Sequence, residues 1–130
     1  MATKIFINLP VKDLNRSVSF FTQLGFTFNA QFTDEKATCM IISEDIFAML
    51  LVESFFGTFT KRQIVDTKNS IEVINALSVD SRSEVDALVE KAIAAGATIP
   101  KEAQDHGFMY SRSFEDLDGH YWEFLWMDPN

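Results

Sequence analysis

The residue in this chain best placed to do chemistry is a single carboxylate. Glu123 lies in Asp118-Gly119-His120-Tyr121-Trp122-Glu123-Phe124-Leu125-Trp126, among aromatic and aliphatic neighbours. Asp-Gly predicts a type I′ turn, and the alternation beyond it predicts a strand. His120, Trp122, Phe124 and Trp126 then share a face packed on the core, while Tyr121, Glu123 and Leu125 share the other. An unpaired carboxylate in such company is costly, which leaves three roles open. Glu123 could pair with a cation or with backbone N–H groups, Arg112 on the preceding strand being the candidate partner. It could accept a hydrogen bond from a ligand. Or it could act as a general base, its pKa raised by burial toward neutrality and suited to proton abstraction beside a carbonyl.

Other reactive side chains are few. The two histidines are His106 and His120. On a regular strand His120 and Glu123 point to opposite faces and should not share one ion. His106 sits in the loop-like Gln104-Asp105-His106-Gly107, from which it could reach inward. Cys39, in the apolar run 37–42, reads as a buried small hydrophobe with no neighbour to activate its thiolate. As the sole cysteine it excludes an intramolecular disulfide. Asp116-x-Asp118-Gly119 lacks the spacing and terminal Glu of a calcium-binding EF-hand loop. No Ser-His-Asp order, Gly-rich phosphate loop or paired-Cys motif occurs, so nucleophilic catalysis has no support.

The elements that must position Glu123 follow a pattern written twice. Residues 5–11 read as a strand and Asp13 as an N-cap. A helix follows with Leu14, Val18, Phe21 and Leu24 at helical spacing, ending at Gly25. The second half opens with a strand over 73–79 and a capping box, Ser81-x-x-Glu84. Val85, Leu88, Val89, Ala92 and Ile93 continue the helix to Gly96. Strands are predicted over 26–32, 37–43 and 47–52 in the first half, and over 97–99, 108–114 and 121–126 in the second. The pattern is βαβββ twice, with a polar joint at Asp66-Thr67-Lys68-Asn69-Ser70. Before the joint, Phe55, Phe56 and Phe59 suggest a short helix, as a local cap over the core or a subunit contact. The predicted class is α+β: two βαβββ modules, 1–65 and 71–127, forming one domain as a curved, incomplete barrel with a central cleft.

Composition bounds the partners. The chain has 130 residues, 47% hydrophobic, enough for one core. A net charge of −8 argues against nucleic acid, which needs clustered Lys and Arg, and against an anionic membrane surface. No run approaches the roughly 18 apolar residues that cross a bilayer. The first residues run straight into strand-like sequence without the apolar core of a signal peptide, so a cytoplasmic protein is expected. Thirteen phenylalanines can fill a core or line an apolar pocket.

Two segments carry a family resemblance. The opening Leu9-Pro10-Val11-Lys12-Asp13-Leu14-x-Arg16-Ser17-Val18-x-Phe20-Phe21-x-x-Leu24-Gly25-Phe26 and the closing Asp116-Leu117-Asp118-Gly119-His120-Tyr121-Trp122-Glu123-Phe124 resemble the vicinal-oxygen-chelate superfamily. That group includes glyoxalase I, bleomycin-resistance proteins, fosfomycin-resistance enzymes and extradiol dioxygenases. The resemblance covers essentially the whole chain and implies a divalent metal held by His and Glu from four strands. Carried over residue by residue, those ligand positions fall on Phe6, near Ile74, near Leu50 or Leu51, and on Glu123. Phenylalanine, isoleucine and leucine do not bind such cations.

The resemblance thus implies a glyoxalase/bleomycin-resistance-like protein that binds a small, partly apolar molecule in its cleft without the usual metal site. Phe6, Asn8, Met40, Leu50, Ile74, Met109 and Tyr121 are the expected lining, with Glu123 as the one catalytic candidate; core packing is the plainer use of each lining residue. Asn8 fits a core least, because its amide needs partners. The alternative is a glyoxalase-type lyase, isomerase or dioxygenase with an unconventional metal site or with Glu123 as base. No cofactor is assigned. A homodimer is expected from the resemblance alone.

Overall fold

A computed structural model describes residues 2–130. The chain divides into two compact units, Met1–Val65 and Asp66–Asn130. Each is an open four-stranded mixed sheet with a helix after its first strand.

The first unit runs β1 (Ile5–Val11), α1 (Leu14–Gln23), β2 (Thr27–Asn29), β3 (Ala37–Ser43), β4 (Ile46–Val52) and a short α2 (Glu53–Phe56). Its sheet order is β1-β4-β3-β2, with β1 parallel to β4 and the other pairs antiparallel. Asp13 caps α1 by accepting a hydrogen bond from the Arg16 backbone N–H at 3.1 Å. Gly25, at φ +103°, turns the chain out of the helix. Phe20, Phe21 and Leu24 are buried with Leu9, Val11, Met40, Ala48 and Leu50 to form the core. The strand predicted over 26–32 is shorter than expected. Asn29 Oδ1 accepts from the Gln31 backbone N–H at 3.0 Å, which starts a 3-10 turn at Ala30–Phe32 and ends the ladder.

The second unit runs β5 (Ile74–Ser78), α3 (Arg82–Ala94), β6 (Gln104–Asp105), β7 (Met109–Glu115) and β8 (Tyr121–Met127), in sheet order β5-β8-β7-β6. Ser81 caps α3, and the Glu84 carboxylate accepts from the Asp80 backbone N–H at 2.9 Å. Arg112 binds Asp86 at 3.1 Å and Glu90 at 2.9 Å, and the Tyr110 hydroxyl donates to Asp86 at 2.7 Å. These contacts pin α3 to the Tyr110–Arg112–Phe114 row of β7. Trp122 and Phe124 of β8 continue that row by register, and both are buried.

The expected strand over 97–99 makes a single bridge, Thr98 to Glu115, and the edge strand lies instead at Gln104–Asp105, in the stretch read as loop. Pro100 follows two residues after Thr98, and its missing N–H cannot extend the ladder. Arg82 then anchors the replacement strand, gripping Asp105 with two bonds of 2.9 and 3.0 Å and the Gly107 carbonyl at 2.7 Å. Its guanidinium also lies over the Tyr110 and Trp126 rings, 5.3 and 5.0 Å from their centroids. No helix among the described residues is long and apolar enough to cross a membrane.

Candidate functional site

Glu123 projects from the face of the second sheet that α3 does not cover. On β8 that face carries Tyr121, Glu123 and Leu125, all half-buried, as the alternation predicted. In register beside Glu123 stand Ala76 on β5 and Ser113 on β7. Ile74 pairs with Tyr121 on the same face and is 54% exposed. Among the described residues the Glu123 carboxylate has no hydrogen-bond or ion-pair partner. Ser113 is buried, and its Oγ has no hydrogen-bond partner either. Two polar groups without partners thus stand side by side on a face that also carries Ser78, Ser111 and Glu115 by register.

The proposed pairing of Arg112 with Glu123 does not occur. Arg112 is opposite Phe124 in the ladder, so it points to the helix side and is held by Asp86 and Glu90. The turn that presents β8 also differs from the type I′ expectation. Gly119 has φ +82°, but Asp118 has a negative φ. The organising group is Asp116. Its carboxylate accepts from the backbone N–H groups of Asp118 at 2.9 Å and His120 at 3.0 Å, and from Trp122 Nε1 at 2.9 Å. Burial pushes the Asp116 carboxyl above its usual range; the nearby His120, the Trp122 indole and the two backbone N–H groups work in the opposite direction. Thr67 completes the turn by donating to the Asp118 carbonyl at 2.6 Å.

The second-unit candidates Ile74, Tyr121, Glu123 and Met109 share one sheet face. Met109 is four residues from Ser113 along β7, about 13 Å away. In the first unit Phe6 and Asn8 share a face and are exposed. Phe6 stacks on Phe47 with centroids 4.9 Å apart, and the Asn8 amide donates to the Phe6 carbonyl at 3.1 Å. Met40 and Leu50 do not join them. Leu50 pairs with Leu9 and Thr38, and Met40 pairs with Ala48, so both lie on the opposite face, where they are buried. The Phe6–Asn8 face carries instead Phe47, Met49 and Leu51 on β4, with Cys39 opposite Met49 on β3. Cys39 is buried, and burial pushes its thiol pKa up, away from thiolate chemistry.

Neither histidine joins Glu123. His106 is exposed; its backbone N–H donates to the Met109 carbonyl at 2.8 Å. His120 belongs to the Asp116 turn. No group of three or more His, Cys, Asp or Glu able to hold a metal ion occurs among the described residues. Of the positions matching the superfamily's ligands, only Glu123 offers a donor atom, so the chain's residues do not fit that metal.

Ser113 and Asp116 were missed in the sequence. Ser113 was recoverable, because the hairpin folds symmetrically about Asp118: five residues before it meets five after. Asp116 carries no such signal, because its bond to Trp122 depends on how the turn closes.

A family model described as bleomycin resistance protein-like N-terminal matches residues 3–43. No curated protein matches the chain. Among solved structures, the hypothetical protein SA1046 from S. aureus is 30% identical, with TM-score 0.82 over 96% of this chain and 94% of that one. A glyoxalase/bleomycin resistance protein/dioxygenase family enzyme from Burkholderia phytofirmans is 19% identical, with TM-score 0.80 over 97% of this chain and 99% of that one. A glyoxalase-related enzyme from Fulvimarina pelagi is 19% identical, with TM-score 0.82 over 97% and 88%. These last two share the fold. The chain therefore carries a bleomycin resistance protein-like N-terminal segment and shares the fold of glyoxalase/bleomycin-resistance/dioxygenase structures, the vicinal-oxygen-chelate fold.

Proposed function

We propose that this protein binds a small, partly apolar molecule on the sheet face that carries Glu123, without the four-ligand metal set of the vicinal-oxygen-chelate superfamily. The observation that carries this reading is Glu123 itself: half-buried, its carboxylate without a partner among the described residues, and flanked by Tyr121, Ile74 and Leu125. A carboxylate kept partly out of water and left unpaired is a poor structural element and a good recognition group. Phe6 and Ile74 at the ligand-equivalent positions favour binding over metal-assisted chemistry, since neither can coordinate a cation.

The test is a thermal-shift screen of the purified protein against hydrophobic antibiotics, aromatic diols and glutathione adducts, with and without a chelator. A compound that raises the melting temperature equally in both conditions, and less in Glu123→Gln, supports the reading. A stoichiometric divalent ion whose removal by chelator abolishes the shift would overturn it.

A further inference from the structure

We propose that the group recognised at Glu123 is an organic cation, a primary ammonium or amidinium on an apolar body, and that Ser113 positions the carboxylate for it. This rests on the binding reading above and adds the chemical class of the ligand.

Covering Glu123 with a neutral apolar molecule would strip its remaining water and strand a charge. A ligand with a positive nitrogen replaces that water with a charge-assisted hydrogen bond. The surroundings suit such a group. Tyr121 lies two residues away on the same face, where its ring can receive a cation, and Ile74 and Leu125 offer surface to the apolar remainder. The net charge of −8 draws cations toward the protein at long range.

Ser113 supplies the second, independent observation. Its Oγ is out of reach of solvent and bonds to nothing, yet its residue faces Glu123 directly across the ladder. A hydroxyl that is enclosed cannot meet the ligand itself. It can rotate to donate to the carboxylate oxygen turned away from the ligand, once a cation has drawn the other oxygen into place. That bond would stabilise the ionised, bound form, and it gives the orphaned hydroxyl a partner it lacks in the free protein.

The experiment compares phenethylamine, an ammonium ion at pH 7, with phenethyl alcohol, its neutral analogue, by amide chemical-shift titration. Phenethylamine should shift the amides around Ala76, Ser113 and Glu123 and bind at least roughly tenfold more tightly than the alcohol. Glu123→Gln should remove most of that difference. Ser113→Ala should weaken the amine severalfold without lowering thermal stability, and Ser113→Thr should restore it. If the alcohol binds at the same amides as tightly as the amine, or Glu123→Gln binds the amine unchanged, the face binds small molecules but the cation inference falls. If Ser113→Ala leaves amine affinity unchanged, the positioning role falls. If neither probe shifts these amides while the protein remains folded, the cation inference falls; the binding reading is then decided separately by the thermal-shift screen.

Discussion

Trp122 Nε1 donates a hydrogen bond to the carboxylate of Asp116, 2.9 Å away and six residues earlier in the chain. Trp122 is buried on the helix side of β8, and Glu123, the next residue, faces the other way. One carboxylate therefore ties the turn to the core side of the strand and thereby sets the strand's roll. The bond reinforces the facing that alternation along β8 gives Glu123.

Asp116→Ala is expected to destabilise the protein by about 2–4 kcal/mol, because it leaves a buried indole N–H and two turn N–H groups without their acceptor. Urea unfolding measures the loss. Amide shifts at Tyr121 and Glu123 should move with it; a stability loss that leaves β8 unperturbed would count against the turn's control of the strand.

The pH dependence has two components of opposite sign. The bond from Arg82, with that from the Gly107 N–H, holds the Asp105 carboxyl down at about 2, against an ordinary value of 3.8. A depressed folded-state pKa contributes stability that is present above the unfolded value and is lost as pH falls from about 4 through about 2. Asp116 is shifted upward by burial, so its contribution is full below its unfolded value and declines as pH rises toward its folded value. Asp105→Asn should therefore flatten the acid limb of the stability curve, and Asp116→Asn the decline above it. Unfolding midpoints from pH 2 to 8 give both, and a parallel shift of the whole curve in either variant would contradict its assignment.

At Gly119 conformation and space both demand glycine. Its φ is +82°, and a Cβ there would collide with the Thr67 side chain. Gly119→Ala should cost more than about 1 kcal/mol. The double change with Thr67→Gly should recover the steric share and keep the conformational share. An additive double mutant would show that the two residues do not meet.

Leu50 and Met49 are neighbours in sequence with different fates. Leu50→Ala empties a fully buried site and should cost about 2–5 kcal/mol. Met49→Ala lies on the half-buried Phe6–Asn8 face and should cost markedly less. Equal costs in chemical denaturation would mean that the two faces of β4 are wrongly distinguished.

Replacing Arg112 with Leu should cost about 1–3 kcal/mol, because it removes the partner of Asp86 and Glu90 and the clamp between β7 and α3. Binding at Glu123 should be untouched, since Arg112 faces the opposite side of the sheet. A change in ligand affinity at constant stability would put Arg112 back beside Glu123.

Local chemistry alone determined a good deal of this protein. The caps at Asp13 and Ser81, the stops at Gly25 and Gly96 and the doubled βαβββ pattern depend on residues within a turn or two of each other, and they are present in the structure. So is the turning of Glu123 away from Trp122 and Phe124, because alternation along β8 is clear where one face is buried and the other is not. Tertiary structure decided what alternation could not express. Ala-Thr-Cys-Met-Ile-Ile-Ser and Ile-Phe-Ala-Met-Leu-Leu-Val, the strands β3 and β4, are apolar almost throughout, so neither face is marked and a one-residue slip costs nothing locally. Only pairing with β1 assigns Met49 and Cys39 to the Phe6–Asn8 face and sends Met40 and Leu50 into the core. The partners of Arg112, the Asp116–Trp122 bond and the Ser113–Glu123 apposition are likewise set by strand register, helix packing and turn closure, which bring together side chains whose separation in the chain carries no local signal.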